Sequence, residues 1–174
     1  MSHEQHEHDY VSLTLEPLDV SDLTWQAQDD GAGAISTFLG ITRDTFEGRL
    51  VTSLEYEAYA PMAVASLRRI CAQARARWQL KKVVIQHKLG ACPVGHASVF
   101  VGVSSAHRRE AIAAAEYCID SLKADTPIWK KEHYAAAPPS GSASSPPAAP
   151  AAGSGFVERN AEGEGGERGA AGCA

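Results

Sequence analysis

The sequence predicts an α+β fold, in which helices pack on one face of a mostly antiparallel β-sheet. Segments with a two-residue hydrophobic period, typical of strands, alternate along the chain with longer segments of three- and four-residue period, typical of helices. The predicted order is strand, helix, two strands, helix, two strands, helix and a short strand. This order favours two layers, one of sheet and one of helix.

The predicted strands show the side-chain alternation of a half-buried sheet. In residues 51–59, Tyr56 shares an apolar face with Leu54, whereas the glutamates beside them point to the opposite face. A turn rich in Gly and Pro separates the two strands that precede the last long helix. The predicted strands are residues 11–15, 34–40, 51–59, 82–89 and 97–103, with a short final strand after residue 127.

The first two predicted helices have recognisable starts. Residues 22–28 form a short helix that Ser21 or Asp22 could cap. The second helix begins near Pro61, because proline suits the first turn of a helix. Its apolar stripe recurs at three- and four-residue steps. The stripe consists of Ala63, Leu67, Ile70, Ala74 and Trp78.

The third helix is predicted over residues 108–123. Ser104 or Ser105 could cap it, which would place His107 and Arg108 at its first turn. Its expected core stripe consists of Ile112, Ala115, Ile119 and Leu122.

Composition predicts one globular domain between two loose ends. The chain has 174 residues, of which 44% are hydrophobic and 21% are charged, as in ordinary globular domains. From residue 135 onward, Ala, Gly, Ser and Pro supply 30 of the 40 residues, too little apolar surface to offset ordering entropy. We therefore predict a domain over residues 10–134, a disordered N-terminus over residues 1–9 and a disordered tail over residues 135–174.

Charge and hydropathy disfavour two classes of function. A net charge of -5 at pH 7 argues against a general nucleic-acid binder, which would show a broad basic face. The apolar runs are far shorter than the ~20 residues of a membrane span. The N-terminus lacks the basic and apolar regions of a secretory signal. We predict a cytosolic protein that binds neither nucleic acid nor membrane.

The cysteines and histidines predict neither a metal site nor a disulfide framework. The four cysteines form no C-x-x-C pair, and Cys71 and Cys118 lie on or beside apolar helix stripes. His3, His6 and His8 are better explained as chance histidines in a disordered terminus than as metal ligands. Residues with an expected structural role are Trp78, Phe100 and Trp129 in the core and His87 and His96 in the core or on the surface.

A group of cations surrounds the third predicted helix, although the chain is acidic as a whole. Its members are His107, Arg108, Lys123, Lys130 and Lys131. A helix N-terminus presents unpaired N–H groups and a partial positive charge, both favourable to an anion. An arginine adds a fork that can bind phosphate in bidentate fashion. The group therefore predicts a pocket for a phosphorylated or carboxylate-bearing substrate.

Helix geometry separates the members of this group. Lys123 lies fifteen residues after Arg108, which is ~22 Å along an α-helix. If both residues serve one site, either the chain folds back or a second copy of the protein completes the pocket.

Five motifs in order resemble those of the catalytic, large subunit of molybdopterin synthase. The resemblance covers about residues 11–134, and it implies the α/β hammerhead-like fold of that family. The matching stretches are residues 33–43 (GAISTFLGITR), 54–62 (LEYEAYAPM), 87–90 (HKLG), 104–108 (SSAHR) and 122–132, which ends in PIWKKE. Five collinear motifs are far more specific than any one of them.

The resemblance implies an activity. The family converts cyclic pyranopterin monophosphate, or precursor Z, into molybdopterin by installing two sulfurs as a dithiolene. The sulfur arrives as a C-terminal Gly-Gly thiocarboxylate on a small ubiquitin-like subunit, whose tail threads into the large subunit. Two large subunits form a homodimer within a heterotetramer. The resemblance implies no cofactor and no metal, because the partner supplies the sulfur.

The resemblance also implies the site residues. Substrate-contacting positions fall on Arg43, His107, Arg108, Lys123, Lys130, Lys131 and Glu132. A lysine crowded by other cations can act as a general acid or base near neutral pH. We expect Lys123 to take that role, or to be the amine that meets the partner's acyl group. Lys130 would be its electrostatic partner. His107, Arg108 and Arg43 would hold the cyclic phosphate.

Two other functions remain open from the sequence. One is a non-catalytic adaptor that binds the tail of a ubiquitin-like sulfur carrier, which the presence of both lysines and the arginine disfavours. The other is an enzyme acting on a different phosphorylated heterocycle. The chain also departs from the family near its end, where an Ala/Pro/Ser-rich insertion precedes Phe156, Val157 and Glu158. These three residues resemble a displaced family segment, and their role stays open.

Overall fold

The structure, a computed structural model, describes residues 9–135 of the chain. Within this part the chain forms eight strands and three helices. In chain order they are β1 (Asp9–Thr14), α1 (Val20–Gln26), β2 (Ala34–Ile41), β3 (Thr45–Phe46), β4 (Arg49–Ala58), α2 (Ala60–Arg77), β5 (Leu80–Lys88), β6 (Gly90–Pro93), β7 (Ala97–Ser105), α3 (Arg108–Asp125) and β8 (Ile128–Tyr134). The predictions for the N-terminal histidines and for the tail from residue 136 onward lie outside the described residues.

The strands form two sheets, in which antiparallel pairing predominates. The first sheet has the order β1-β5-β7-β2, with β1 parallel to β5 and the other neighbours antiparallel. In the second, β4 pairs antiparallel with β3, β6 and β8. The α+β class and the mostly antiparallel pairing are therefore confirmed, and the strands are divided between two sheets.

Side-chain alternation places the helices on both faces of the first sheet. Helices α2 and α3 share a core cluster with one set of strand residues, which includes Val83 and Ile85. Helix α1 belongs to a separate cluster, in which Leu23 packs with Val84 and Phe100. Successive strand residues point to opposite faces. The two long helices thus share one face, as predicted, whereas the short α1 covers the other.

Two helices begin at residues other than the predicted caps. Helix α1 starts after Asp19, because the Asp19 carboxylate accepts a hydrogen bond from the Asp22 N–H at 3.0 Å. The prediction of Ser21 or Asp22 as its cap is therefore wrong. Helix α3 starts after His107 without a side-chain cap, since the Ser105 hydroxyl donates to the His107 carbonyl instead. The predicted serine cap of this helix is also wrong.

The core stripe of α3 is shifted from its predicted position. Ile112 is 58% exposed, so its assignment to the core is wrong. The stripe begins one residue earlier, which turns the apolar face by about 100° at its first position. The buried residues of the helix are Ala111, Ala114, Ala115, Cys118, Ile119 and Leu122.

Two short strands form where the local sequence shows only turn or loop residues. Strand β6 lies in the predicted Gly/Pro turn and pairs with β4, which buries Cys92 fully. Strand β3 is two residues long and also pairs with β4. Phe100 is buried as predicted, but Trp129 is 40% exposed, so its assignment to the core is wrong. In the described part of the chain, no helix has the length and apolarity needed to cross a bilayer.

Candidate active site

A cavity of about 300 Å³ opens between the two sheets and the C-terminal end of α3. Its volume lies at the lower end of the range for small-molecule sites. Three cations and one carboxylate line it among apolar side chains, so it is suited to an anionic ligand. The lining includes Phe38, Arg43, Phe46, Leu54, Tyr56, His87, Ile119, Leu122, Lys123, Lys130 and Glu132.

Helix α3 places Lys123 in the cavity. This lysine belongs to the last turn of the helix, next to Leu122 and one turn after Ile119, and all three line the cavity. Residues four apart share a face of a helix. Lys123 therefore lies on the same side of α3 as the core residue Ile119. Among residues 9–135, Lys123 forms no ion pair. Its ammonium group is therefore free to meet a ligand.

Strand β8 places Lys130 and Glu132 in the cavity and turns Lys131 away. Lys130 lies opposite Tyr56 in the register of β8 with β4, and Glu132 lies opposite Leu54. Alternate residues of a strand face opposite sides, so Lys131 points away from these two. Lys131 is exposed and does not line the cavity. Lys131, predicted to contact substrate, therefore does not line this cavity within one chain.

The two cavity lysines differ in their partners. The Lys130 ammonium lies 3.1 Å from a Glu132 carboxylate oxygen and 5.4 Å from the centre of the Phe46 ring. Both members of the ion pair are largely buried. A paired lysine is held in place and partly neutralised, whereas Lys123 has no such partner in the part of the chain that the structure describes. This difference supports a reactive role for Lys123 and an electrostatic role for Lys130.

Arg43 reaches the cavity from the segment that follows β2. The preceding residue, Thr42, is buried and anchored at both backbone groups, since its N–H donates to the His96 carbonyl and its carbonyl accepts from the Gly95 N–H. The Arg43 side chain itself is exposed. An anchored backbone with a long exposed side chain is well placed to contact an anion at the mouth.

His107 and Arg108 lie outside the cavity, at the opposite end of α3. Both are exposed, and α3 runs unbroken to Asp125. The ~22 Å between Arg108 and Lys123 expected for a straight helix therefore applies. The end of β7, just before this helix, is held against Gly33, whose N–H donates to the Ser105 carbonyl at 3.0 Å. A single chain does not bring the two halves of the cationic group together.

Tyr56 and His87 line the cavity, although the sequence did not single them out as site residues. Their rings meet edge to face, with centroids 4.9 Å apart. Burial raises the pKa of the Tyr56 phenol. His87 is only 2% exposed, and burial lowers its pKa to about 4. Its Nδ1 lies 2.7 Å from the Lys88 carbonyl, which can only accept, so Nδ1 carries the proton of the neutral ring. Two features of the sequence could have indicated them. His87 opens the HKLG motif, and Tyr56 shares a strand face with Leu54.

Because His87 is buried in its neutral form, we expect the free energy of unfolding to decrease in mild acid. Because its pKa falls from 6.5 to about 4 on folding, its neutral form contributes fully above pH 6.5. That contribution disappears as the pH falls toward 4, at a cost of about 3 kcal/mol in the free energy of unfolding. Urea unfolding from pH 7 to pH 4 measures the slope. The variant His87→Asn should lose it, whereas exposed His96→Asn should keep it. If the unfolding free energies of the two variants depend equally on pH, groups other than His87 cause the acid sensitivity.

Among residues 9–135, no three His, Cys, Asp or Glu side chains lie close enough to hold a metal ion. The titratable groups that line the cavity are ammonium, guanidinium, carboxylate, phenol and imidazole. Such a set can bind an anion, stabilise developing negative charge and move protons.

The chain matches the family model described as MoaE protein over residues 13–125. A human protein named molybdopterin synthase catalytic subunit is 47% identical over 131 residues, which cover 75% of this chain and 70% of the human protein. A protein of the same name from Drosophila willistoni is 47% identical over 133 residues, or 76% of this chain. The match spans only 36% of that longer insect protein.

A solved structure shows the same fold. The chain resembles the crystal structure of molybdopterin synthase from Staphylococcus aureus, with a TM-score of 0.68 and 33% identity. The likeness covers 71% of this chain and 90% of the other.

Proposed function

The chain belongs to the MoaE protein family, and from this membership and the cavity we propose that it is the catalytic subunit of a molybdopterin synthase. It would transfer sulfur from a thiocarboxylated small subunit to cyclic pyranopterin monophosphate in molybdenum cofactor biosynthesis. The observation that carries the proposal is a cavity lined by Arg43, Lys123 and Lys130, in which, within residues 9–135, Lys130 has a carboxylate partner and Lys123 has none.

The cavity suits the chemistry of this transfer. The thiocarboxylate tail and the cyclic phosphate are both anionic, and the cavity has more cationic than anionic side chains. The acyl carbon of the tail must be held, and the oxyanion formed there must be stabilised. Lys130 is the fixed positive charge for that purpose, since its ion pair holds it in place. Lys123 would move protons on the pterin side chain, or meet the acyl group as an amine.

The cyclic phosphate requires cations that one chain places too far away. We propose that His107 and Arg108 of a second copy complete the cavity, together with Arg43 of the first. The unbroken helix α3 supports this arrangement, because it separates Arg108 from Lys123 within each chain. The assembly would be a homodimer of this chain with one ubiquitin-like small subunit at each end, and no cofactor would be required.

The three cysteines in the described residues support a cytosolic location. All three, Cys71, Cys92 and Cys118, are buried, and no disulfide joins them to one another. Free thiols persist in the reducing cytosol, where disulfides are rare. Burial raises the pKa of the Cys71 thiol well above its ordinary value, so this thiol stays protonated and inert. The proposed sulfur transfer therefore relies on the partner's thiocarboxylate, not on a cysteine persulfide of this chain.

The test is reconstitution from purified parts. The full chain is mixed with a thiocarboxylated small subunit and precursor Z, and the pterin product is followed by mass spectrometry. The expected product is heavier by two sulfur-for-oxygen exchanges. Partner binding without product would favour the adaptor. Binding of another nucleotide or pterin, with no dependence on the small subunit, would favour an enzyme of a different class.

Removal of the tail tests whether it is only an extension. A chain that ends at Ala135 keeps every described element, including the hydrogen bond from the Ala135 N–H to the Leu50 carbonyl. We expect its turnover to stay within about twofold of the full chain, because every residue that lines the cavity is retained. Reconstituted turnover measures this. A large loss would assign the segment around Phe156 a role in closing the pocket.

A further inference from the structure

Tyr134, the last residue of β8, contacts the candidate site without lining the cavity. Its hydroxyl donates to one carboxylate oxygen of Glu132, and the other oxygen of that carboxylate pairs with the Lys130 ammonium at 3.1 Å. The three residues alternate along β8 and therefore share one face of the strand. Glu132 is thus held from two sides, by a phenol and by a lysine.

The β3–β4 hairpin contacts both ends of this row of three residues, which are Lys130, Glu132 and Tyr134. Its turn consists of Glu47 and Gly48, both with positive φ, as in the tight two-residue turns of hairpins. On one side of the turn, the Phe46 ring lies 5.4 Å from the Lys130 ammonium. On the other side, the Arg49 guanidinium lies 3.6 Å from the centre of the Tyr134 ring. The hairpin therefore contacts both Lys130 and Tyr134 and holds them in place.

We infer that Tyr134 is a positioning residue for the active site: its hydroxyl orients Glu132, Glu132 holds the Lys130 ammonium in the cavity, and Arg49 holds the Tyr134 ring. The role in turnover rests on the proposed function. Without the hydroxyl, one Glu132 oxygen loses its donor, and the carboxylate can rotate away from the lysine. The hydrogen bond to Glu132 raises the pKa of Tyr134, so the phenol keeps its proton and remains a donor at neutral pH.

The chain contains a matched control for this contact. The Tyr117 hydroxyl donates to the Gln73 side-chain oxygen at 2.9 Å, and the Arg77 guanidinium lies 4.0 Å from the centre of its ring. This tyrosine also donates to a side-chain oxygen and contacts an arginine, but its acceptor is a neutral amide, and it lies between α2 and α3, away from the cavity. Tyr134→Phe therefore removes a hydroxyl from the row of Lys130, Glu132 and Tyr134. Tyr117→Phe removes a comparable hydroxyl outside that row.

The first measurement is reconstituted turnover of the full chain. Tyr134→Phe should lower kcat about tenfold with little change in KM for the pterin, because a hydrogen bond to a charged group is lost beside a fixed catalytic charge. Arg49→Met should cause a smaller loss, since the hydroxyl remains. Tyr117→Phe should match the wild type. Thermal unfolding of each variant checks that the fold is retained.

The second measurement needs neither substrate nor partner. The side-chain ¹⁵N resonance of the Lys130 ammonium reports how firmly it is held. We expect a resolved signal in the wild type and in Tyr117→Phe, and a broadened or lost signal in Tyr134→Phe and in Glu132→Gln. If Tyr134→Phe matches Tyr117→Phe in this signal, the inference is overturned. If the wild type shows no turnover but the signals behave as expected, the proposed function fails while the positioning role stands.

Discussion

Lys123→Ala is expected to abolish sulfur transfer while the partner still binds. Lys123 reaches the cavity from the last turn of α3 and forms no ion pair within the described residues. Loss of a positioned general acid or base lowers kcat by about 10³-fold. Mass spectrometry of the pterin product measures turnover, and calorimetry with the small subunit measures binding.

Two further variants separate charge from proton transfer. Lys123→Arg keeps the positive charge but scarcely releases a proton near neutral pH, so it should remain almost inactive. Lys81→Ala removes an exposed lysine away from the cavity and should match the wild type. If Lys123→Ala keeps both turnover and binding, Lys123 is not the reactive group. If the wild type itself binds the partner without turnover, the adaptor interpretation gains support.

Mixing two inactive variants is expected to restore activity if two copies share each site. Arg108→Ala should be nearly inactive, because it removes a proposed phosphate ligand. In a mixed dimer of Arg108→Ala with Lys123→Ala, one site carries both changes and the other carries neither. Random exchange at equal concentrations should therefore restore about a quarter of wild-type turnover, since half of the dimers are mixed and each has one intact site.

The readout is turnover of the two variants, first separately and then after exchange of subunits. Mixing Lys123→Ala with Lys130→Ala is the control. Both lysines line the cavity of one chain, so every site in that mixed dimer lacks one of them. Recovery in the first mixture alone would support the shared site. Failure of both mixtures, with subunit exchange verified by mass, would contradict a site that is shared between two copies.

Local sequence patterns were sufficient where one element decides the outcome. The alternation in residues 51–59 correctly assigned Leu54 and Tyr56 to one face of β4, because a strand has only two faces. Pro61 correctly marked the start of α2, because proline needs no backbone donor in the first turn. Ile112 was misplaced, because a helix has many more possible stripes than a strand has faces and an alanine-rich sequence defines its stripe weakly.

Contacts between distant segments decided the rest of the site. Lys130 and Lys131 are neighbours in sequence with the same charge, and only the register of β8 on β4 shows which one faces the cavity. The role of His87 depends on its contact with Tyr56 of another strand, and that of Tyr134 depends on Arg49 of the β3–β4 hairpin as well as on Glu132 of its own strand, so the sequence singled out neither residue. Short-range periodicity determines the face of an element on which a residue lies. Which faces meet depends on pairing across long stretches of chain, and that is set by the tertiary structure.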